Sequence, residues 1–472
     1  MSSKLQQAVR TNEIEKPAKV KHYILAKDVL RHDPLSFKKF SGNHVYILSG
    51  VLKELRLITE SQRKNDIAVF QAKEVLNKVK ETINGDVKYA ISPSGLYLSD
   101  CDVTLHIVKS EDRNKNENYY IDYAKELKKK FPCQEVIVIS KSIDMRIDCE
   151  LENVNSQDYE NDKILGEEIA SLFQKVSLPD EKYAELMQDI SSFNANELGV
   201  PLYPNCFVEV TCKSDASTPY HLRYDGKKLV NISKHFEPLA GILPINLEQR
   251  FFFELLKDEN TDIITVSGSG GSGKTLISVA AALQMVLKEN KYKKIIYIKP
   301  TIPTDEGQGF IKGDLYDKLR PYMNSFFEAL SVIFSKDEKN NKIYKKYMEQ
   351  NDESEIDVEK FARKLIDKQK LELTCFSYMR GRNLRDSIVI VDEGQQTTPF
   401  IAKLMLSRLS ENSKILFIGD PSDNQIDNFS VDPRSNGLVY IAARLRTCMY
   451  AGHVSLKLVE RGRIADIADK FL

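Results

Sequence analysis

Residues 263–288 read IITVSGSGGSGKTLISVAAALQMVLK, and this stretch decides the fold of the C-terminal half. The β-branched start has strand character, and the residues from Lys274 onward repeat apolar side chains at helical spacing. Between them lies a glycine-rich turn that fits G-x-x-x-x-G-K-[ST] at Gly268, Gly273, Lys274 and Thr275. Glycines let the N–H groups of Ser269, Gly270, Gly271 and Ser272 turn inward around an oxyanion. The helix that follows adds its positive N-terminal end. Lys274 is expected to reach the β- and γ-phosphates of ATP, and Thr275 to hold Mg²⁺. The bare pattern arises by chance in about one chain of this length in fifty, so it needs a second signal.

That signal is SIVIVDEGQQT at residues 387–397. It places Asp392 and Glu393 after a strongly apolar strand, where Asp392 is expected to bind the Mg²⁺ shell. Glu393 is then the general base for the attacking water. A third apolar run, KILFIGD, ends at Asp420, with Gln425 shortly after. It resembles the superfamily-one helicase motif whose glutamine senses the γ-phosphate. An ordinary strand and polar turn is the plainer reading. LPINLEQ puts Gln249 before a helix, where helicases use a glutamine to read the adenine edge; a solvated helix start is the alternative.

Working outward, the 472 residues suffice for two to four domains, and 42% hydrophobic content supplies real cores. Lys plus Arg equals Asp plus Glu, so overall charge argues neither for nucleic acid nor against it. Seven scattered cysteines form neither a C-x-x-C pair nor a zinc spacing, which suits reduced thiols and a cytoplasmic protein. No run is long and apolar enough for a membrane span, and the N-terminus lacks the apolar core of a secretory signal.

The organisation expected is α/β throughout. Residues 1–16 read as a flexible tail. Residues 17–159 alternate strands (HYIL, HVYIL, EVIVIS) with helices, which implies a parallel sheet. Residues 160–198 read as a polar helical connector. Residues 199–236 read as a small, barrel-like β insert with a turn at Asp225-Gly226. Residues 237–472 resume the α/β alternation, with a charged, solvated helical insertion around residues 335–364.

Several stretches beyond the phosphate motifs resemble the PhoH family of P-loop ATPases, whose domain is RecA-like and close to superfamily-one helicases. They are IYIKPTIPTDEGQGFIKGDLYDKLRPYMNSFFEAL at 296–330, SYMRGRNLRDSIVIVDEGQQTT at 377–398, and VERGRIADIADKF at 459–471. The sequence departs from the family at Gly394 and Gln396, and GDPSDNQID spaces Asp420 and Gln425 two residues wider. The resemblance implies a homo-oligomer, a hexameric ring, with Arg463 rather than Arg461 as an arginine finger.

The N-terminal half resembles a PIN domain, an α/β/α fold that cuts RNA with metal held between carboxylates. YILAKDVLRHDP at 23–34 matches the first motif, and VLKEL, ENYYIDYAKEL and VISKSIDMRI fall where the others sit. The leading Asp is Ala26, and the last is Ser142. The remnant acids are Glu54 and Glu117, with Asp28 able to substitute in part if it follows Ala26 along a strand. A hard dication is poorly served by so few carboxylates, so a non-cleaving PIN-like domain is expected.

Three functions follow from these readings. One is an ATP-driven helicase or translocase on RNA or single-stranded DNA, with Lys299, Arg380 and Arg382 as phosphate contacts. The plainer reading of the arginines is local pairing with carboxylates. The second is an active ribonuclease–helicase fusion, and the third an ATP-switched module that binds nucleic acid or protein without motor activity.

Overall fold

A computed structural model describes residues 20–60, 67–110, 119–164, 166–170, 172–233, 235–300, 315–335, 357–379 and 381–458. Contacts divide the chain into two compact units: residues 1–64 with 68–161, and residues 162–472 with 65–67. Most of the charged insertion lies outside the described residues.

The N-terminal unit is built on a six-stranded sheet. Its strands are β1 (His22–Leu25), β2 (Asn43–Leu48), β3 (Leu96–Leu98), β4 (Val103–Val108), β5 (Val136–Ile139) and β6 (Ser156–Gln157), in the order β3-β4-β2-β1-β5-β6. All pairs are parallel except β3–β4. Helices cover the sheet, so β1, β2 and β5 read as continuous apolar runs rather than alternating ones.

A row of histidines interrupts that apolar core. His22 and His44 are register partners on β1 and β2, stacked with ring centroids 5.0 Å apart. His44 Nδ1 lies 2.8 Å from His106 Nε2, and His22 Nδ1 lies 2.8 Å from the Tyr46 hydroxyl. Burial, helped by the neighbouring His44, His22 and Lys130 charges, pushes His106 down to about 4. Burial lowers His22 and His44 as well. An unfolded histidine titrates near 6.5, so between there and about 4 the unfolded chain binds more protons than the folded one. Stability of this unit should therefore be complete above pH 6.5 and fall as pH drops toward 4. Thermal melts across that range would check this, and His106→Gln should flatten part of the slope.

The C-terminal unit holds two sheets. The smaller contains β7 (Phe173–Leu178), β8 (Cys206–Cys212), β9 (Tyr220–Tyr224) and β10 (Leu229–Asn231), in the order β10-β9-β8-β7. Two expectations change here. Residues 160–198 are not a purely helical connector: between the helices Gly166–Ala170 and Asp180–Gln188 they hold β7, which pairs parallel to β8. Its polar residues face solvent from an edge strand, which mimicked a polar helix in the sequence. The β insert is an open sheet rather than a barrel, and it packs on the nucleotide-binding part. Phe207 stacks on Phe251 at 4.2 Å, and Arg223 pairs with Asp258 at 2.7 Å. The Asp225-Gly226 turn is present, with Asp225 accepting from the N–H groups of Lys227 and Lys228.

The larger sheet comprises β11 (Ile263–Gly268), β12 (Lys294–Lys299), β13 (Leu371–Cys375), β14 (Ser387–Val391), β15 (Lys414–Gly419) and β16 (Ala451–Leu456), ordered β13-β12-β14-β15-β11-β16. Every pair is parallel. The carboxyl ends of β11, β12, β14 and β15 therefore lie along one edge, where open α/β sheets bind ligands.

Candidate nucleotide site and the N-terminal carboxylates

The turn after β11 wraps tightly because glycine stands where a side chain has no room. Gly273 has φ 95°, and a Cβ there would lie 3.0 Å from Gln249 Nε2. A Cβ on Gly268 would lie 2.3 Å from the Leu456 carbonyl oxygen. Lys274 starts the helix Lys274–Leu283, and its ammonium donates to the carbonyls of Gly268 at 2.5 Å and Ser269 at 2.8 Å. It is thus stored against the loop, from which it can swing to a phosphate.

The cleft above the loop is about 450 Å³, lined by Lys274, Thr275, Asp392, Glu393, Asp420 and Gln425 among others. Residues from three separate motifs thus share one cavity. Asp392 is buried at the end of β14 and 3.5 Å from Thr275 Oγ1. It accepts from Ser325 Oγ at 2.8 Å, from the Glu393 N–H at 3.1 Å, and from the Tyr297 hydroxyl. Burial, then the adjacent Asp392 charge, raises Tyr297 well above the usual phenol range, so it serves as a donor. Glu393 has φ 55°, a left-handed backbone that a non-glycine residue adopts at a cost of about 1–2 kcal/mol. Its side chain lines the cleft. Its Oε2 accepts from Gln395 Nε2 at 2.7 Å.

Gln425 lies in a short 3₁₀ turn, Asp423–Gln425, which absorbs the wider spacing and keeps it on the cleft wall. Gln395 and Gln396 both donate to its carbonyl, at 3.3 and 2.9 Å. Gln396 also accepts from the N–H groups of Asp427 and Asn428, at 3.0 and 3.1 Å.

Some expected roles change. Gln249 does not present its amide to a base. It is buried, accepts from the Ile245 N–H at 3.0 Å and donates to the Ser272 carbonyl at 3.0 Å, bracing the loop. Arg382 is not offered to a phosphate, because Glu372 holds it through both terminal guanidinium nitrogens. Lys299 lies beside the two acids of the cleft, 3.6 Å from Glu393 Oε1 and 3.9 Å from Asp392 Oδ2. Arg380 and Arg463 lie outside the described residues. Sequence reading missed Tyr297, Ser325, Gln395 and Gln396.

In the N-terminal unit Ala26 lies between β1 and the next helix and is buried. Asp28 is not on a strand: the helix Lys27–His32 begins at once, which turns the Asp28 carboxylate toward the fourth motif. It accepts from Ser140 Oγ and the Ser142 N–H, both at 2.8 Å. Glu54 is held on both oxygens, by Lys27 Nζ at 2.6 Å and the Tyr119 hydroxyl at 2.8 Å. Glu117 lies outside the described residues. Among the described residues no group of three or more His, Cys, Asp or Glu is placed to hold a metal ion.

A parallel sheet with a glycine-rich loop, a buried strand-end aspartate and an adjoining glutamate defines a P-loop nucleoside triphosphatase domain. Residues 241–468 match the family model described as PhoH-like protein, and residues 23–160 match a PIN domain model. The chain is thus a PIN–PhoH fusion, an N-terminal PIN domain followed by a PhoH-like domain of P-loop nucleoside triphosphatase type. It is 26% identical to Protein PhoH2 of Bacillus subtilis (strain 168), over 96% of this chain and 100% of that protein. It is 22% identical to Protein PhoH2 of Thermobispora bispora, over 97% of each chain. Against the PhoH-like protein of Bacillus subtilis, identity is 33% over 38% of this chain and 47% of that one. Among the described residues no helix is long and apolar enough to cross a membrane.

Proposed function

We propose that this protein hydrolyses ATP with Mg²⁺ in the cleft over β11, β14 and β15, and couples the cycle to single-stranded nucleic acid, RNA foremost, as a helicase or translocase. The observation that carries the reading is the meeting of Lys274, Thr275, Asp392, Glu393 and Gln425 in one cleft. Thr275 Oγ1 and Asp392 Oδ1 offer adjacent oxygen donors of the kind Mg²⁺ takes. Magnesium bound there would neutralise phosphate charge. Lys274 binds the terminal phosphates, Glu393 takes the proton from water, and Gln425 reports the γ-phosphate. The family resemblance supports a homo-oligomeric ring in which Arg463 reaches a neighbouring nucleotide.

The PIN domain is proposed not to cut. Lys27 has its ammonium on Glu54, and Asp28 is engaged by Ser140 and Ser142, so both carboxylates already have protein donors. RNA cleavage with Mn²⁺ that disappears in Glu54→Ala would sink this reading.

The pairing of Arg382 with Glu372 favours a second reading, an ATP-switched binding module without a motor stroke. Phosphate release with and without single-stranded RNA separates the two. Stimulation by RNA that vanishes in Lys274→Ala supports the motor. Turnover that depends on Lys274 but ignores RNA and DNA favours the switched module.

A further inference from the structure

The Lys299 ammonium ends β12 beside the two acids that follow β14. The strands are paired through Ile298 and Val391, and the Asp392 N–H bonds the Ile298 carbonyl at 2.9 Å, so the placement is fixed by sheet register. Nζ lies 3.6 Å from Glu393 Oε1, 3.9 Å from Asp392 Oδ2 and 3.4 Å from Ser325 Oγ. The other oxygen of Glu393 accepts from Gln395 at 2.7 Å. Both carboxylate oxygens therefore face a protein donor or cation. A general base must reach its proton within hydrogen-bond distance, and here the ammonium flanks one carboxylate oxygen while Gln395 holds the other, which draws charge away from the base.

We propose that Lys299 is a positioning residue that restrains Glu393 and releases it when the ammonium transfers to a phosphate of single-stranded nucleic acid at the carboxyl end of β12. This rests on the proposed ATPase function and names its control. Three features support it. Lys299 is partly exposed, with its side chain at 21% accessibility, so an outside anion can reach it. A lysine is a flexible point charge on a four-carbon stem, able to exchange one oxyanion for another without backbone movement. Phosphodiesters supply such oxyanions at regular spacing along a strand. The transfer is non-covalent: the ammonium exchanges its contacts with Glu393, Asp392 and Ser325 for a phosphate oxygen, and no covalent bond is made or broken. It makes hydrolysis conditional on a strand being present.

The test is steady-state phosphate release by the full chain, with fluorescent ATP binding and thermal melting as controls. Lys299→Met should raise kcat without RNA by about tenfold, a fraction of the roughly 10²–10⁴ that a general base contributes. KM for ATP should stay near the wild-type value, and added poly(U) should no longer stimulate. Lys299→Arg, which keeps the cation, should bring back the low rate and the stimulation. A Lys299→Met protein that binds ATP and melts as wild type does, yet turns over no faster, would overturn the restraint. A turnover that persists in Lys274→Ala would instead refute the ATPase site itself.

Discussion

Glu393→Gln should bind ATP as tightly as the wild type and lose turnover by about 10²–10⁴-fold, the usual contribution of a general base. Glutamine matches glutamate in shape and can keep the left-handed backbone at residue 393. It can still meet Gln395 through its amide oxygen. What it lacks is a lone pair basic enough to take a proton from water. The loss should therefore fall on kcat and leave KM for ATP almost unchanged. That split marks an interaction used only in the transition state. Single-turnover phosphate release beside fluorescent ATP binding would show it, and a loss below tenfold would remove Glu393 from the role.

The largest expected effect on stability comes from Lys414, which lies at the start of β15 with no exposed surface. Its ammonium donates to the carbonyls of Leu255, Leu256 and Asp258, at 3.4, 3.2 and 2.9 Å. These are the orphan acceptors at the end of the helix Leu247–Lys257, whose first turn carries Gln249 and so braces the phosphate loop. Lys414→Ala leaves those acceptors unpaired and opens a cavity, at a cost of about 3–5 kcal/mol. Melting of the C-terminal unit should fall by roughly 5–15 °C. Lys414→Met keeps the packed stem and should lose less. Burial holds the folded Lys414 down at about 8, against 10.5 unfolded. Between those values the unfolded chain carries the extra proton, so the residue's contribution rises with pH. The wild-type advantage over Lys414→Met should widen from pH 8 toward 10, and a constant difference would contradict the cause.

Much of the nucleotide site was legible because its signals are local. A β-branched strand, a glycine turn and an apolar helix are adjacent in the chain, and Asp392 and Glu393 follow a buried strand directly. The less legible parts depend on partners far away in sequence. Tyr297 and Ser325 meet Asp392 across 95 and 67 residues. The plainer expectation, pairing with a carboxylate, holds for Arg382, but its partner Glu372 and the Glu393 beside Lys299 are named only by the fold, because they come from other strands. Gln249 is expected before a helix but lies buried in its first turn, and only the fold shows its amide spent on Ser272. Strand β7 was missed because an edge strand with one wet face lacks enough apolar residues to declare its period. Asp28 was assigned to the wrong element because nothing between Leu25 and Lys27 marks the helix start: Ala26 caps it without a side-chain bond.

The two glutamines after Glu393 have a mechanical consequence. Gln395 touches the Glu393 carboxylate, the Asp420 N–H and the Gln425 carbonyl, while Gln396 grips the main chain from Gln425 to Asn428. The segment that would do the cutting and the segment that would sense what is cut are thereby geared together. Arrival of a terminal phosphate at one tooth would then turn the other, and its loss would let both slip back in the same movement. Timing in such a site would be set by the stiffness of two amide side chains rather than by the affinity of any single contact.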